Sequence, residues 1–479
     1  MEGTYQFQLC HKLRNVKTEL KKFTKNIFGK ERIHADEARK ALMECQSLID
    51  QFPNDSSYRA QENDLMIKFL DAIRIEEEVA KQKSRNQWLE VGDRNTKYFY
   101  NAIKGRRNMN RISVLTTPSG SLNSNENKAK FEAIRYFQSI LGTKTPNNYP
   151  GLQNLQNVVK KKITEHHYHS LDTPPDDAEI KTTMFSIHSD KAPGPDGFIA
   201  FFFKHCWDLV GPLVIKAVKE FFSSQELLAE SNTTIISLIP KIPNPAAMGE
   251  FRPISCYNTV YKCISKIISN RLQVVLPHLI DDTQSAFIKG RKICDNVLLA
   301  QDLMRDYHKL KGKPRAAAKV DLMKAYDTVS CEFLFNLLNA LNFPPSMIVW
   351  IKACVTSPKY CINFNGESVG YIKGARGLRQ GDPMSPYLFV IIMDFLGQLF
   401  KTEIATAAGY KYHWRCEKLA ISHLCFADDL LIFPDGSIIS AAVVRNVLNT
   451  FYNYTGLLAN NHKSCIFLAA MNDELSHSI

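Results

Sequence analysis

Leu424-Cys-Phe-Ala-Asp428-Asp429-Leu-Leu-Ile-Phe433 sets two adjacent carboxylates between two short apolar runs. Each run has the composition of a strand, so the segment is expected to be a hairpin with its acids at the tip. Two unneutralised carboxylates beside apolar strands are costly without a cation, and oxygen ligands of this kind suit divalent Mg²⁺. Successive residues of an extended strand face opposite ways, so Asp428 and Asp429 address one ion together only if the turn twists them.

A third carboxylate comes from a second strand. Ala316-Ala-Ala-Lys-Val-Asp321-Leu-Met-Lys-Ala-Tyr326-Asp327 reads as a strand that ends in an acid and turns into a helix. Ser330 is placed to cap that helix, and Glu332 lies in its first turn. Phe333, Leu334, Leu337, Leu338 and Leu341 form its apolar face before Asn342 and Pro344 stop it. Taken alone, Asp321 fits an ordinary turn aspartate better than a ligand. Taken with Asp428 it supplies what two-metal phosphoryl or nucleotidyl transfer requires, carboxylates from separate strands bridging cations roughly 4 Å apart.

Around these segments the chain alternates apolar strands, such as Thr234–Ile239, with helical stretches, which signals an α+β or mixed domain from residue 176 onward. Residues 119–175 are rich in Asn, Ser and Thr with one amphipathic helix near Lys128–Leu141, and read as a polar connector. Residues 1–118 read as a basic helical region, with helices over Asp36–Ile49 and Ala60–Leu89 separated by Pro53-Asn-Asp-Ser-Ser57. Between Lys81 and Arg111 the charge is one-sided, with Arg85, Arg94, Lys97, Arg106 and Arg107 among the cations and Trp88, Tyr98, Phe99 and Tyr100 interleaved. That pattern suits a nucleic-acid backbone and its bases. A solvated helix face whose aromatics pack on the domain behind it suits the pattern equally.

Composition narrows the class. The 479 residues allow about three domains, and 45% hydrophobic residues exclude a disordered chain. A formal net charge of +12 favours a polyanionic partner without specifying one. Twelve cysteines without Cys-x-x-Cys pairs argue for reduced thiols in an intracellular compartment, nucleus or cytoplasm. No secretory leader or bilayer-length apolar run is visible, so no membrane is expected among the partners. His166, His167 and His169 lack a cysteine pair at metal-ligand spacing and read as a solvated helix end.

These residues resemble a known family. Phe-Ala-Asp428-Asp429 is similar to the Tyr-x-Asp-Asp box of reverse transcriptases, and Lys319-Val-Asp-Leu-x-Lys-Ala-Tyr-Asp327 to their first catalytic motif. In the expected order come Asp190-Lys-Ala-Pro-Gly-Pro-Asp-Gly-Phe198, Leu238-Ile-Pro-Lys241, Phe251-Arg-Pro-Ile-Ser255 and Gln284-Ser-Ala-Phe-Ile-Lys-Gly-Arg291. Gly377-Leu-Arg-Gln-Gly-Asp-Pro-Met-Ser-Pro-Tyr-Leu-Phe389, Thr455-Gly456 through Asn460 and Lys463-Ser464 complete the series. Upstream, Gln87-Trp-Leu-Glu90 and Gly92-Asp-Arg-Asn-Thr-Lys-Tyr-Phe99 resemble plant LINE-type open reading frames. The chain is thus similar to the reverse transcriptase portion of a plant-type non-LTR (LINE-type) retrotransposon polyprotein.

The resemblance implies a right-hand polymerase, an α+β fold of fingers and an antiparallel palm sheet behind a helical N-terminal region. It assigns metal bridging to Asp321 and Asp428, an adjacent carboxylate to Asp429 and a supporting backbone carbonyl to Leu322. The cofactor it implies is a pair of Mg²⁺ ions, with Mn²⁺ as substitute. Lys241 and Arg252 match triphosphate-holding positions, Tyr326 a steric gate against the ribose 2′-hydroxyl, and Gln380 and Gly381 the segment under the incoming nucleotide. Ser385 is expected to cap the next helix with Pro386 in its first position. Lys463 matches a proposed general acid for the leaving pyrophosphate, although a surface lysine is the ordinary reading. The implied partners are an RNA template, a DNA primer or nicked target DNA, and dNTPs. The sequence stops at Ile479 before a thumb is reached, so the alternative expectation is a catalytically silent fragment that at most binds RNA.

Overall fold

The computed structural model describes residues 3–27, 31–84, 96–116, 122–123, 125–144, 151–309 and 312–471. Its helices are α1 (Tyr5–Ile27), α2 (Glu31–Gln51), α3 (Ser56–Ser84), α4 (Thr96–Asn110), α5 (Glu126–Leu141), α6 (Leu152–Val158), α7 (Glu165–Asp172), α8 (Asp177–Ser186), α9 (Ala200–His205) and α10 (Trp207–Ser224). There follow α11 (Thr259–Leu279), α12 (Ile293–Leu303), α13 (Ala325–Thr328), α14 (Cys331–Ala340), α15 (Pro345–Thr356), α16 (Ser385–Thr406) and α17 (Ile438–Thr455). The strands are β1 (Leu115–Thr116), β2 (Leu122–Asn123), β3 (Thr233–Pro240), β4 (Phe251–Tyr257), β5 (Arg315–Val320), β6 (Lys359–Phe364), β7 (Glu367–Lys373), β8 (His423–Phe426), β9 (Asp429–Ile432) and β10 (Cys465–Ala469).

Packing divides the chain into two compact units, one of Met1–Cys10, Thr117–Leu238 and Arg252–Ile479 and one of His11–Thr116 and Ile239–Phe251. In the smaller unit α2 and α3 pack together as a helical hairpin. Asp55 caps α3 by accepting the Ser57 N–H at 2.8 Å, which is why the Pro-Asn-Asp-Ser-Ser segment breaks the helix there.

The larger unit takes in the connector as well as the strands, so the packing has a break at Thr116–Thr117, within two residues of the composition boundary at 118, and none at 175. Asn125 caps α5, and Ala129, Ala133, Phe137, Ile140 and Leu141 give that helix a buried stripe that needs a partner. Leu141 O accepts the Ala375 N–H at 2.8 Å, and the Arg376 side chain donates to the carbonyls of Ile140 and Ser139 at 2.6 and 3.1 Å.

Helix α16 is apolar on all sides, with Leu388 through Met393, Phe395, Leu396, Leu399 and Phe400 buried, as suits the central helix of a core. Its start differs from expectation. Ser385 is already helical and Met384 occupies the cap position without a side-chain cap bond, while Asp382 Oδ1 accepts the Met384 N–H at 3.1 Å and Pro386 falls in the second helical position. Helix α14 follows its sequence reading. Ser330 accepts the Phe333 N–H at 3.3 Å, and Phe333, Leu334, Leu337 and Leu338 are buried. Burying Phe333 contributes on the order of 2–3 kcal/mol.

Two four-stranded sheets complete the unit. One has the order β4-β3-β6-β7, with β3 and β6 parallel and β6 and β7 antiparallel. The other, β10-β5-β9-β8, is antiparallel throughout. No described helix is long and apolar enough to cross a membrane.

Candidate active site

The antiparallel sheet brings the three carboxylates to one end. Phe426 pairs with Asp429, leaving Ala427 and Asp428 as a two-residue turn with Ala427 at φ +54°. Asp428 is therefore a turn residue and Asp429 the first residue of β9, which resolves the opposite-facing problem of two acids on one strand. Asp321 follows the last residue of β5. The β5–β9 register runs Ala318 to Ile432, Lys319 to Leu431 and Val320 to Leu430. Continued one residue, it sets Asp321 across from Asp429, both on the face that carries exposed Lys319, while Val320, Leu430 and Ile432 point into the core. Asp428 is held above the ordinary carboxylate value by partial desolvation first, then by the charges of Asp429 and Asp321, against a lowering by its own backbone N–H.

Asp321 is itself held in place. Its Oδ2 accepts from Asn460 Nδ2 at 3.2 Å, its N–H donates to Ser464 Oγ at 3.1 Å, and its carbonyl accepts the Asn460 N–H at 2.7 Å. Leu322 bridges antiparallel to Ala459, with the flanking bond from Met323 N–H to Leu458 O at 2.8 Å. In such a pair the central residue's own N–H and C=O face away from the partner, so the Leu322 carbonyl is directed to the β9 side, where Asp428 stands.

The donor set consists of hard oxygens. No Lys or Arg forms an ion pair with Asp321, Asp428 or Asp429 among the described residues. Among the same residues no group of three or more His, Cys, Asp or Glu stands close enough to hold a metal. A carboxylate pair and a carbonyl, with the remaining positions left to phosphate oxygens and water, is the sparse protein shell that Mg²⁺ accepts.

Tyr326 stands beside this end of the sheet. Its ring stacks on Phe389 with centroids 4.6 Å apart, and burial, then the Asp428 charge, push its hydroxyl up to about 12. The segment 377–381 lies against it. Leu378 N–H donates to Tyr326 O at 2.7 Å, Gly377 N–H to Val329 O at 2.9 Å, and the Gln380 amide reaches the buried Asp327 carboxylate at 3.4–3.5 Å. Gly381 adopts φ +101° and its carbonyl accepts the Tyr257 hydroxyl, while Gln380 O accepts the Ser255 N–H at 3.0 Å.

Arg252 lies exposed on β4, and the Lys241 ammonium donates to Gly249 O at 2.8 Å within the loop of the smaller unit. Lys463 is exposed in the turn after Asn460, to whose carbonyl its N–H donates at 3.1 Å. Arg106 and Arg107 are exposed on α4, where Phe99 is buried and Tyr100 bonds Glu76 of α3 at 3.4 Å. Arg85, Trp88 and Arg94, and the side chain of Lys97, lie outside the described residues.

Sequence reasoning gave no role to several residues that build the site. Arg379 is buried, donating to Asn232 Oδ1 at 2.7 Å, Thr234 Oγ1 at 3.1 Å, Cys354 O at 2.7 Å and the Tyr261 hydroxyl, with its Nε 3.6 Å from Asp382. Asp382 in turn accepts from Tyr261 at 2.7 Å and from Ser265. This pair locks the 377–382 segment, and removing one partner of such a buried pair costs about 3–5 kcal/mol. Asn460, Ser464 and Gln284 were quoted only as parts of motifs, since no local pattern reveals which distant chain a polar side chain will meet.

Residues 239–476 match the family model described as reverse transcriptase (RNA-dependent DNA polymerase). The chain is 28% identical over 312 residues to the "Transposon TX1 uncharacterized 149 kDa protein" of Xenopus laevis, covering 65% of this chain and 24% of that one. It is 24% identical over 285 residues to the "Retrovirus-related Pol polyprotein from type-2 retrotransposable element R2DM" of Drosophila melanogaster, covering 60% and 25%. It is 30% identical over 202 residues to the "Retrovirus-related Pol polyprotein from type-1 retrotransposable element R2" of Nasonia vitripennis, covering 41% and 18%. The chain therefore spans about a quarter or less of the length of these relatives. An antiparallel sheet that gathers carboxylates from two strands, within a match of that description, defines residues 239–476 as a reverse transcriptase domain, an RNA-directed DNA polymerase. Two of these relatives are, by name, Pol polyproteins of retrotransposable elements.

Proposed function

We propose that this chain copies RNA into DNA, with residues 176–479 as the fingers and palm of a right-hand polymerase that adds dNTPs to a primer 3′-hydroxyl. The observation that carries the reading is the convergence of Asp321 and Asp428 from separate strands, with the Asp428 proton affinity raised first by burial and then by its carboxylate neighbours, and no cationic side chain paired to them among the described residues. Mg²⁺ at that pair, or Mn²⁺ in its place, would make the 3′-oxygen a better nucleophile and neutralise charge on the leaving pyrophosphate.

The chain's own groups do the rest. Asp321 and Asp428 would hold the ions, Leu322 would add its carbonyl, and Asp429 sets the local field. Lys241 and Arg252 hold the triphosphate, the second through a forked guanidinium suited to phosphate oxygens. Tyr326 presents its ring where a ribose 2′-hydroxyl would clash. Gln380 and Gly381 lie under the nucleotide, the glycine permitting close backbone approach. Lys463 supplies a proton to the departing pyrophosphate. The primer is free DNA or nicked target DNA, and the cations of residues 85–107 contact the nucleic-acid backbone. Assignment to a plant-type element rests on the segments Gln87–Glu90 and Gly92–Phe99.

Extension of a DNA primer on an RNA template with Mg²⁺ and dNTPs tests the reading. Product from the chain and none from Asp428→Ala supports it. Binding of the hybrid by both proteins without product from either makes the chain a silent polymerase fragment.

A further inference from the structure

Residues 283–285 run beside β8 as a short parallel partner. Cys425 N–H donates to Thr283 O at 2.8 Å, Ser285 N–H donates to Cys425 O at 3.2 Å, and Gln284 lies opposite Cys425. Asn296 of α12 staples the two segments, its Nδ2 donating to Cys425 O at 2.9 Å and to Thr283 O at 3.4 Å. From this fixed base the Gln284 side chain, 2% exposed, reaches past the strand end to the carboxylate turn. Its Oε1 accepts the Ala427 N–H at 3.1 Å and the Ala286 N–H at 3.0 Å.

Ala427 immediately precedes Asp428, is itself buried, and stands at φ +54°, a left-handed conformation that alanine avoids. Its N–H would otherwise be a buried donor without an acceptor, which proteins rarely tolerate. The amide oxygen of Gln284 thus rewards the one turn conformation that sends Asp428 toward Asp321. A relaxed turn would redirect Asp428. The orientation of the amide follows from its neighbours, because rotating it by half a turn would set an NH₂ group against two N–H donors. The cost is visible at the other end of the group, where Gln284 Nε2 is buried with no hydrogen-bond partner among the described residues. A carboxylate would accept the same two bonds but would add a fourth negative charge near Asp321, Asp428 and Asp429. An amide is the acceptor that holds the turn without that charge.

We propose that Gln284 is a positioning residue for nucleotidyl transfer, acting through the Ala427 N–H to hold Asp428 at the metal-binding end of the sheet. The proposal rests on the reverse transcriptase reading for its catalytic consequence, and its structural half can be measured without activity.

Gln284→Leu and Gln284→Glu distinguish the outcomes, each examined by amide hydrogen exchange at Ala427 and by single-turnover incorporation of one dNTP on a bound primer–template. The expected result for Gln284→Leu is exchange at Ala427 at least tenfold faster and incorporation slower on the order of 100-fold, with primer–template Kd within twofold. Gln284→Glu keeps the acceptor, so it should restore protection at Ala427 and recover at least tenfold of the lost rate. Unchanged exchange in Gln284→Leu overturns the proposal, as does wild-type incorporation despite lost protection. If Gln284→Leu fails to fold, Gln284→Glu decides by the same criteria, and loss of both protection and rate in that variant overturns it. Failure of the unmodified chain to extend any primer contradicts the polymerase reading instead, and the exchange measurement still tests the brace.

Discussion

Gly377→Ala probes how the segment before α16 is seated against Tyr326. Gly377 adopts φ +89°, a region that costs an L-residue about 1–2 kcal/mol. A Cβ there would stand 2.5 Å from the Asp327 carbonyl oxygen and 2.9 Å from its carbon, both backbone atoms that no rotamer can move. Reaching an ordinary 3.4 Å contact separates the two segments by about 0.9 Å, more than a close-packed interior absorbs. The same displacement stretches the bonds from Leu378 N–H to Tyr326 O and from Gly377 N–H to Val329 O, now 2.7 and 2.9 Å, each worth about 1 kcal/mol. Reduced freedom of the unfolded chain returns roughly 0.5–1 kcal/mol. The net expectation is a loss of about 3 kcal/mol, read as a lower urea midpoint at unchanged slope, a large share of the 5–15 kcal/mol typical of a folded domain. Because Tyr326 is displaced, incorporation should also fall by more than primer–template affinity does. A variant that unfolds within about 1 kcal/mol of the parent, with unaltered incorporation, refutes this reasoning.

Three further outcomes follow from the site and its surroundings. The raised Asp428 carboxyl favours the fold when protonated, and that contribution is lost as pH climbs from 3.8 through the raised value, so ionised Asp428 opposes folding at neutral pH. Asp428→Asn should melt higher than the parent in metal-free buffer at pH 7, while millimolar Mg²⁺ should raise the parent's midpoint and not the variant's; a variant that melts lower contradicts this. His423 is pulled from 6.5 to about 4, chiefly by burial, so between those values the unfolded chain takes up a proton that the folded chain refuses. Stability should therefore decline as pH falls from 6.5 to 4, with His413 adding the same sign, and His423→Gln should flatten the decline in denaturation midpoints measured across that window. Tyr326→Ala should lower the ratio of kcat/KM for dNTP over rNTP on the order of 100-fold, and an unchanged ratio removes the gate assignment.

Local signals account for the parts of the fold that were readable. The β8–β9 hairpin shows as two apolar runs flanking acids, α14 as a capped apolar stripe, and the α2–α3 break as a cluster of turn residues. What escaped reading depends on chain segments far apart. The Asn, Ser and Thr content of residues 119–175 suggested a spacer, yet α5 carries a buried stripe and packs on β7 as well as bonding the Ala375–Arg376 segment. The start of α16 was misplaced because the turn before it is fixed by Asp382, which accepts the Met384 N–H and is itself held by Tyr261 and Ser265 more than a hundred residues upstream. Nothing in the spacing foretold that β3 and β6 pair in parallel. At the site, the acids announced themselves because charge between apolar strands is conspicuous. Gln284, Asn460 and Arg379 did not, since a polar residue destined for burial looks like any other until its partner is known.

Single-turnover incorporation of one dNTP on an RNA template, at saturating primer–template and Mg²⁺, compares the parent chain with Asp321→Asn and Asp428→Asn. If the two carboxylates hold the metal jointly, each substitution lowers the rate by on the order of 1,000-fold or more, about 4 kcal/mol of barrier, while primer–template binding persists. An active parent chain whose rate survives either substitution within tenfold contradicts the assignment of the carboxylate pair.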